Sequence, residues 1–458
     1  MISSVSLAQN YGLWKLTDSL NTPRRNASSV RLANGDILVS GGTDSIGIHN
    51  AEIYNYKLKE WKVINPMLIG RQMHKLVLLN DGRILAIAGG DYEHRSCEIY
   101  DTTNGLWSLA DSLNISRDFG ETATILNNGN ILVAGGLQTF NGGFTDLNSC
   151  EIYDVKNNLW NMTDSLRIAR RYHTSTKLTN GKILVVGGEN NKGELADCEI
   201  YDPITGKWTE VAPLHIARYD HSATLLSDGK VLVTGGINYN NPITSWLKSC
   251  ELYDPTQNTW TVVDSLLVPH THHSAILLNN GLLLIAGGDI NSNLWELYDP
   301  SNFTNVYLGN FPDSTITDQL MNLLPNGKVL SAGGTSVTNV NYLPRISATN
   351  VCYSYDPSKV NEIHVRRNNI VKEFKLYQNY PNPFTPGTII RYKISQTAHV
   401  VLKVYNTLAK EITILVNKTE APGTYSVNFN SEGLASGVYF YVLHSGGYSI
   451  TKKMIYLR

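Results

Sequence analysis

A Gly-Gly pair recurs seven times in this chain, at Gly41-Gly42, Gly89-Gly90, Gly135-Gly136, Gly187-Gly188, Gly235-Gly236, Gly287-Gly288 and Gly333-Gly334. The spacings are 48, 46, 52, 48, 52 and 46 residues. Six residues ahead of each pair, or seven in the second unit, stands the glycine of an Asn-Gly or Asp-Gly step: Gly35, Gly82, Gly129, Gly181, Gly229, Gly281 and Gly327. A tyrosine follows each pair, at Tyr54, Tyr100, Tyr153, Tyr201, Tyr253, Tyr298 and Tyr355, and seven residues beyond the first five stands a tryptophan. A fixed period of about 50 residues means one supersecondary unit copied in series, each copy needing its neighbours to bury its apolar faces.

Asn180-Gly181 lies between apolar runs and suits a two-residue hairpin turn. It joins a strand a over 174–178 to a strand b over 182–186. Cys198-Glu199-Ile200-Tyr201-Asp202 reads as strand c, and a Pro/Gly turn leads to strand d with Trp208. Four antiparallel strands with two apolar faces are buried by stacking such sheets around an axis. Gly-Gly, then Tyr, then Trp at this period resembles the kelch repeat, over residues 11–357, and no Trp-Asp dipeptide ends a unit. The resemblance implies an all-β chain with a seven-bladed kelch-type β-propeller. The seventh unit stops at Tyr355-Asp356 without a strand d, while Leu13-Trp14-Lys15-Leu16 opens the chain as an orphan one. The N-terminal strand is therefore expected to complete the last blade, which hides both loose ends. Blade six departs from the pattern, with Val306-Tyr307 where a tryptophan is expected.

The repeat ends at residue 357, and 358–373 reads as a linker. Gln378-Asn379-Tyr380-Pro381-Asn382-Pro383-Phe384 follows, extended by its prolines. Short strands then come at 388–394, 400–405, 425–429, 438–443 and 452–457, the pattern of a small Ig-like β-sandwich. Asn379, Pro381, Asn382, Pro383, Phe384, Gly437, Tyr439, Lys452 and Lys453 carry a resemblance to the type A C-terminal sorting domain of the Bacteroidetes type IX secretion system. Ala409 stands where that family usually has glycine. For residues 374–458 the resemblance implies recognition by the type IX translocon, passage through the outer membrane, and removal by a surface sortase near the linker. The protein is then secreted or attached to the outer-membrane surface. Residues 1–10, with Ser6-Leu7-Ala8 before Gln9, read as a signal-peptide remnant behind a mis-assigned start.

Charge sharpens this division. The whole chain carries 38 Lys+Arg against 39 Asp+Glu, too balanced for a nucleic-acid binder. Residues 374–458 hold nine cations against three anions, so a cationic tail follows an acidic propeller. No apolar run approaches the roughly 20 residues of a membrane-spanning helix.

Eight residues before each turn glycine stand Ala27, His74, Glu121, His173, His221, His273 and Gln319, several with an arginine three earlier: Arg71, Arg170 and Arg218. This polar ring at the start of strand a either ties the blades together or floors a central pocket. The long b–c loops over 137–149, 237–249 and 335–351 carry Phe140, Phe144, Tyr239, Trp246 and Tyr342. These aromatics either stack on a ligand or cap the propeller's own surface. Asp18, Asp111, Asp164 and Asp264 begin Asp-Ser-Leu segments that read either as turns or as an O-glycosylation motif of Bacteroidetes. Cys97, Cys150, Cys198, Cys250 and Cys352 share one strand-c position, so they are read as buried apolar residues rather than disulfide partners.

The expected function is a secreted or cell-surface propeller that binds a glycan or protein ligand through its long-loop face, with no cofactor or metal. The alternative is a kelch-type enzyme. Tyr172-His173 resembles part of the copper site of galactose-oxidase-like enzymes, although every cysteine is committed to strand c and none is left for their Tyr–Cys cross-link. Arg71, Glu121 and Arg218 would suit a sugar-processing enzyme like the sialate mutarotases.

Overall fold

A computed structural model describes residues 14–43, 47–89, 95–140, 143–240, 245–287, 294–311, 315–317, 319–340, 343–359, 375–394, 398–407, 410–421, 423–445 and 448–457. The signal-peptide reading, most of the linker, Ala409 and Tyr342 lie outside these residues. The chain divides into two compact units, Met1–Pro357 and Ser358–Arg458.

Among the described residues, the first unit holds seven four-stranded antiparallel sheets. In blade four the strands are Thr174–Lys177, Ile183–Val186, Cys198–Asp202 and Lys207–Val211, hydrogen-bonded in that order. Strand a of each blade lies beside strand a of the next, and Leu320–Leu323 of blade seven lies beside Ser28–Arg31 of blade one, so the ring is closed. Strand b is buried at all four positions in every blade. Apolar clusters form between sheets: Leu38 and Ala51 of blade one meet Ile84, Ala86 and Tyr100 of blade two.

Large aromatic pairs hold the outer half of each blade. Tyr54 and Trp61 sit directly opposite on strands c and d, with ring centroids 5.1 Å apart. Tyr100–Trp107, Tyr153–Trp160, Tyr201–Trp208 and Tyr253–Trp260 repeat the pair at 5.0–5.1 Å. Each Trp Nε1 donates to a carbonyl of the preceding connector, as Trp61 does to Asp18 and Trp160 to Asp111. The Asp18, Asp111 and Asp164 carboxylates accept the backbone N–H of Trp61, Trp160 and Trp208, which gives those Asp-Ser-Leu segments a blade-linking role.

Blade six solves its missing tryptophan differently. Trp295 occupies the strand-c position held by cysteine in five other blades, and stacks on Tyr307 at 4.6 Å. Tyr298 Oη donates to the Asp264 carbonyl, replacing the indole bond of blades one to five. In blade seven, Trp14–Leu16 pairs antiparallel with Cys352–Tyr355. Trp14 is buried against Tyr355 at 5.1 Å and Phe311 at 4.4 Å, so it restores the Tyr–Trp pair from the other end of the chain.

The second unit has a three-stranded sheet (Lys375–Leu376, Gly387–Ile394, Gly423–Asn430) and a four-stranded one (Glu411–Glu420, Ala398–Asn406, Gly437–Ser445, Tyr448–Tyr456). One core joins them, with Ile390, Tyr392 and Phe429 meeting Leu402, Val404, Tyr441 and Met454. The sequence pattern missed Glu411–Glu420, an edge strand of which only Val416 and Glu420 are buried. The proline-rich segment is pinned to this core. Asn379 N–H donates to Tyr441 Oη at 2.8 Å, Asn382 Oδ1 accepts Ile455 N–H, and Phe384 packs on Phe429 and Tyr456. Tyr439 is buried, whereas Pro381, Pro383 and Lys453 are exposed and Gly437 and Lys452 half-buried. Among the described residues no helix is long and apolar enough to cross a membrane.

Truncating Trp14 empties the aromatic site of blade seven, so Trp14→Ala is expected to cost about 3–5 kcal/mol of stability in denaturant unfolding of the propeller. An unchanged midpoint would show that the exchanged strand adds nothing to closure.

Candidate functional site

The arginines of the predicted ring are structural. Arg71, Arg170 and Arg218 are fully buried, each paired with a strand-c glutamate: Glu98 at 3.0 Å, Glu199 at 2.8 Å and Glu251 at 2.8 Å. Arg24–Glu52 and Arg117–Glu151 repeat the pair in blades one and three. Each Arg Nη1 also donates to the carbonyl at the end of strand b, such as Gly41 O or Gly187 O. The glutamate in turn accepts two successive backbone N–H groups of the connector, Leu68 and Ile69 in the case of Glu98. These buried pairs are thereby hydrogen-bonded on both sides, Arg117 Nε alone being left without a partner among the five arginines, which is the condition under which buried charge is tolerated. In blade six His270 takes the arginine's place, with Nδ1 2.9 Å from Gly287 O and Nε2 3.1 Å from Glu296 Oε1. Arg117 escaped the fixed-spacing search because Asp118-Phe119-Gly120 inserts one residue. The glutamates were visible in the Glu-Ile-Tyr pattern, but nothing in spacing alone links them to the arginines.

The histidines sit one step further along and tie neighbouring blades. Nε2 of His74 lies 2.9 Å from Ser40 Oγ, and those of His173, His221 and His273 lie 3.0–3.2 Å from Thr122, Thr174 and Thr234. His74, His173 and His221 are buried and His273 is half-buried, and all four Nδ1 atoms have no hydrogen-bond partner. The residue before five of the ring positions has φ near +50°, at Asn26, Met73, Tyr172, Asp220 and His272. These conformations are uncommon for side chains of this size. They aim successive main chains at one another: Met73 N–H donates to Asn26 O, Tyr172 to Gly120, Asp220 to Tyr172 and His272 to Asp220.

Inside this belt lies a cavity of about 500 Å³, lined by His74, Lys75, Phe119, Glu121, Tyr172, His173, Asp220, His221 and others. None of the three arginines lines it, nor does His273. Glu121 is 2% exposed and neither carboxylate oxygen has a hydrogen-bond partner. Burial pushes its carboxyl above the ordinary range. Burial also lowers the imidazoles, that of His221 to about 3.

Aromatic rings continue outward from the cavity. Phe119 and Tyr172 stack at 5.7 Å, Tyr172 and Tyr219 lie 6.2 Å apart, and Tyr219 and Tyr239 6.4 Å apart. Sequence reasoning found Tyr239 but missed Phe119 and Tyr219, which occupy short d–a connectors rather than long loops. The hairpin of Leu137–Phe140 and Gly143–Asp146 carries Phe140 and Phe144, both more than half exposed. Arg171 lies over Phe144 and Tyr172, held by Asp146 and Glu189. Phe144 also borders a groove of about 330 Å³ with Arg167, Asn190, Asn191 and Lys192. Tyr239 is 65% and Trp246 36% exposed.

The cysteines lie elsewhere. All five are free and buried, with Sγ 3.4–3.8 Å from the carbonyl two residues earlier, and none lines the cavity. Burial raises the Cys97 thiol to about 12. Among the described residues no group of three or more His, Cys, Asp or Glu is placed to hold a metal ion. None of the cysteines lies beside Tyr172-His173 in the cavity, and His173 Nε2 is held by Thr122.

The lowered imidazoles carry a pH signature. An unfolded histidine protonates below about 6.5, whereas these buried rings refuse the proton, so stability is lost as pH falls from about 6.5 toward 3. Each ring is expected to contribute up to about 1.4 kcal/mol per pH unit to that loss. Glu121, whose folded pKa is raised, acts in the opposite sense below its folded value. Urea midpoints measured from pH 7 to 4 should therefore fall less steeply in His221→Gln than in the native chain.

Three family models match: the KLHDC2/KLHL20/DRC7 Kelch-repeats domain over residues 120–306, the Kelch motif over 24–68, and the secretion system C-terminal sorting domain over 378–457. No curated protein matches the chain by sequence. Among solved structures, a fungal alcohol oxidase of the AA5 family, in complex with copper, is similar with a TM-score of 0.57 at 15% identity, covering 97% of this chain and 100% of that one. At that identity the likeness is one of fold. The chain is a kelch-repeat β-propeller protein that ends in a type IX secretion sorting domain, and so is secreted or attached to the outer-membrane surface.

Proposed function

We propose that the propeller binds a glycan on the face where the cavity opens among the aromatics of blades three to five. The observation that carries this reading is the run Phe119–Tyr172–Tyr219–Tyr239, extended by the exposed Phe140, Phe144 and Trp246. Aromatic faces beside charged and amide side chains suit sugar rings, which present apolar C–H faces edged by hydroxyls. Tyr239 and Phe144 stay more than half exposed, and the frame beneath them is fixed by buried ion pairs. A protein ligand is the second reading, favoured by the long hairpin of blade three, whose two exposed phenylalanines would serve as anchors.

Residues 374–458 act as the export address, engaging the type IX translocon. The propeller is read as 11–357 and the linker as 358–373, so removal by a surface sortase would fall just after the propeller. The unit boundary after Pro357 supports that placement.

A glycan array on the full chain should show binding that weakens about tenfold in Tyr239→Ala and in Trp246→Ala. Absence of glycan binding together with pulldown of a protein partner would establish the second reading instead. Deletion of residues 374–458 should strand a folded propeller in the periplasm, read by cell fractionation. Normal export of the truncated chain would overturn the sorting role.

A further inference from the structure

Blade three places a carboxylate in the ring around the propeller axis. In blades four and five the ring histidine bonds the first residue of strand a in the preceding blade, Thr122 for His173 and Thr174 for His221. In blade three the ring residue is Glu121, and the first residue of strand a in the preceding blade is Lys75. An imidazole–hydroxyl bond is thus replaced by a carboxylate and an ammonium. Neither Glu121 oxygen is hydrogen-bonded, although Lys75 acts on it through space.

The wall opposite is altered as well. In blades one, three, four and five, a Cβ on the first glycine of the pair would fall within 2.7–3.1 Å of Cε1 of the next blade's histidine. In blade two the residue directly after strand b is Ala88, at φ +59°, whose carbonyl accepts from Arg71 as Gly41 O accepts from Arg24. The next blade's ring residue here is Glu121, so blade two carries a methyl group at the position where the blades followed by a histidine have none. Glu121 and Lys75 both line the 500 Å³ cavity, together with His74, His173 and His221, whose Nδ1 atoms are unpartnered, and Phe119 and Tyr172 at its rim.

A ligand for this site must donate to Glu121, accept from Lys75 and exchange hydrogen bonds with imidazole nitrogens. A net anion would face the carboxylate and a net cation the ammonium. Adjacent hydroxyl groups do both jobs without net charge, since each O–H donates once and accepts twice. The cavity volume lies within the usual range of about 300–1,000 Å³ for ligand pockets. We infer that the axial cavity holds a neutral polyhydroxylated ring, the terminal residue of a saccharide, whose neighbouring hydroxyls bridge Glu121 and Lys75 while Phe119 and Tyr172 flank its entry. The inference rests on the glycan reading above and adds the point of anchorage and the uncharged character of the sugar.

The test uses the full chain and methyl glycosides of glucose, galactose, mannose and N-acetylglucosamine, followed by saturation-transfer NMR and calorimetry. At least one neutral glycoside should bind, with affinity reduced about tenfold or more in Glu121→Ala and Lys75→Met. Glu121→Gln, which keeps the side-chain shape, guards against a folding defect, and thermal midpoints of all variants are compared. Tyr239→Ala should leave monosaccharide binding within about twofold while weakening longer glycans on the array. Array binding that depends on Tyr239 but is unmoved by Glu121 or Lys75 variants would overturn the axial site and leave the glycan reading standing. Binding of glycine, sialic acid or another charged probe through Glu121, with no neutral glycoside bound, would overturn the ligand class. Silence of the whole array and of every glycoside would overturn both.

Discussion

The close approach of neighbouring blades at the first glycine of five Gly-Gly pairs, Gly41, Gly135, Gly187, Gly235 and Gly333, sets the geometry of everything else. A Cβ at Gly41 would lie 2.4 Å from the Arg71 carbonyl oxygen and 2.7 Å from His74 Cε1, both from the next blade. Those distances leave no room for any side chain, and the positive φ of Gly41 makes one unwelcome on conformational grounds too. The space so kept is filled by the following blade's connector, its ring histidine and its buried arginine. Arg24, in turn, donates to the Gly41 carbonyl and to Glu52, so one glycine fixes both the inter-blade distance and the ion pair within its own blade.

Much of this was legible because it is repeated. The Tyr–Trp pairs, the hairpin glycines and the shared cysteine position each recur at one place in the unit, and a role that recurs in every copy is a packing role. What escaped were compensations made once. The one-residue insertion before Glu121 hid Arg117, and Tyr298 with Trp295 replaced a bond that no local motif announces. The arginine–glutamate pairs escaped for another reason. Both members were conspicuous, but their partnership crosses about 30 residues and depends on how a connector folds over strand c. The strand Glu411–Glu420 was missed because an edge strand with one face in water shows little alternation.

At the candidate site the same logic separates scaffold from binding surface. Arg71, Arg170 and Arg218 are conspicuous in sequence yet wholly enclosed, and the ring histidines hold neighbouring blades together. The features that differ between blades are Glu121, Lys75, the aromatic connectors and the blade-three hairpin. They gather where the main-chain belt of positive-φ residues opens. A rigid frame with local exceptions is an economical way to orient a ligand, because the frame absorbs no conformational change on binding.

Pairing of Trp14–Leu16 with Cys352–Tyr355 joins strands some 340 residues apart. A chain that emerges N-terminus first must keep its opening strand unpaired until almost the whole propeller has appeared. Contacts of such separation are slow to form, since a long loop must close before they are rewarded. The latch of the ring and the start of the export module are therefore close neighbours in order of emergence. The propeller can lock only moments before its address becomes readable, which links the timing of folding to the timing of export.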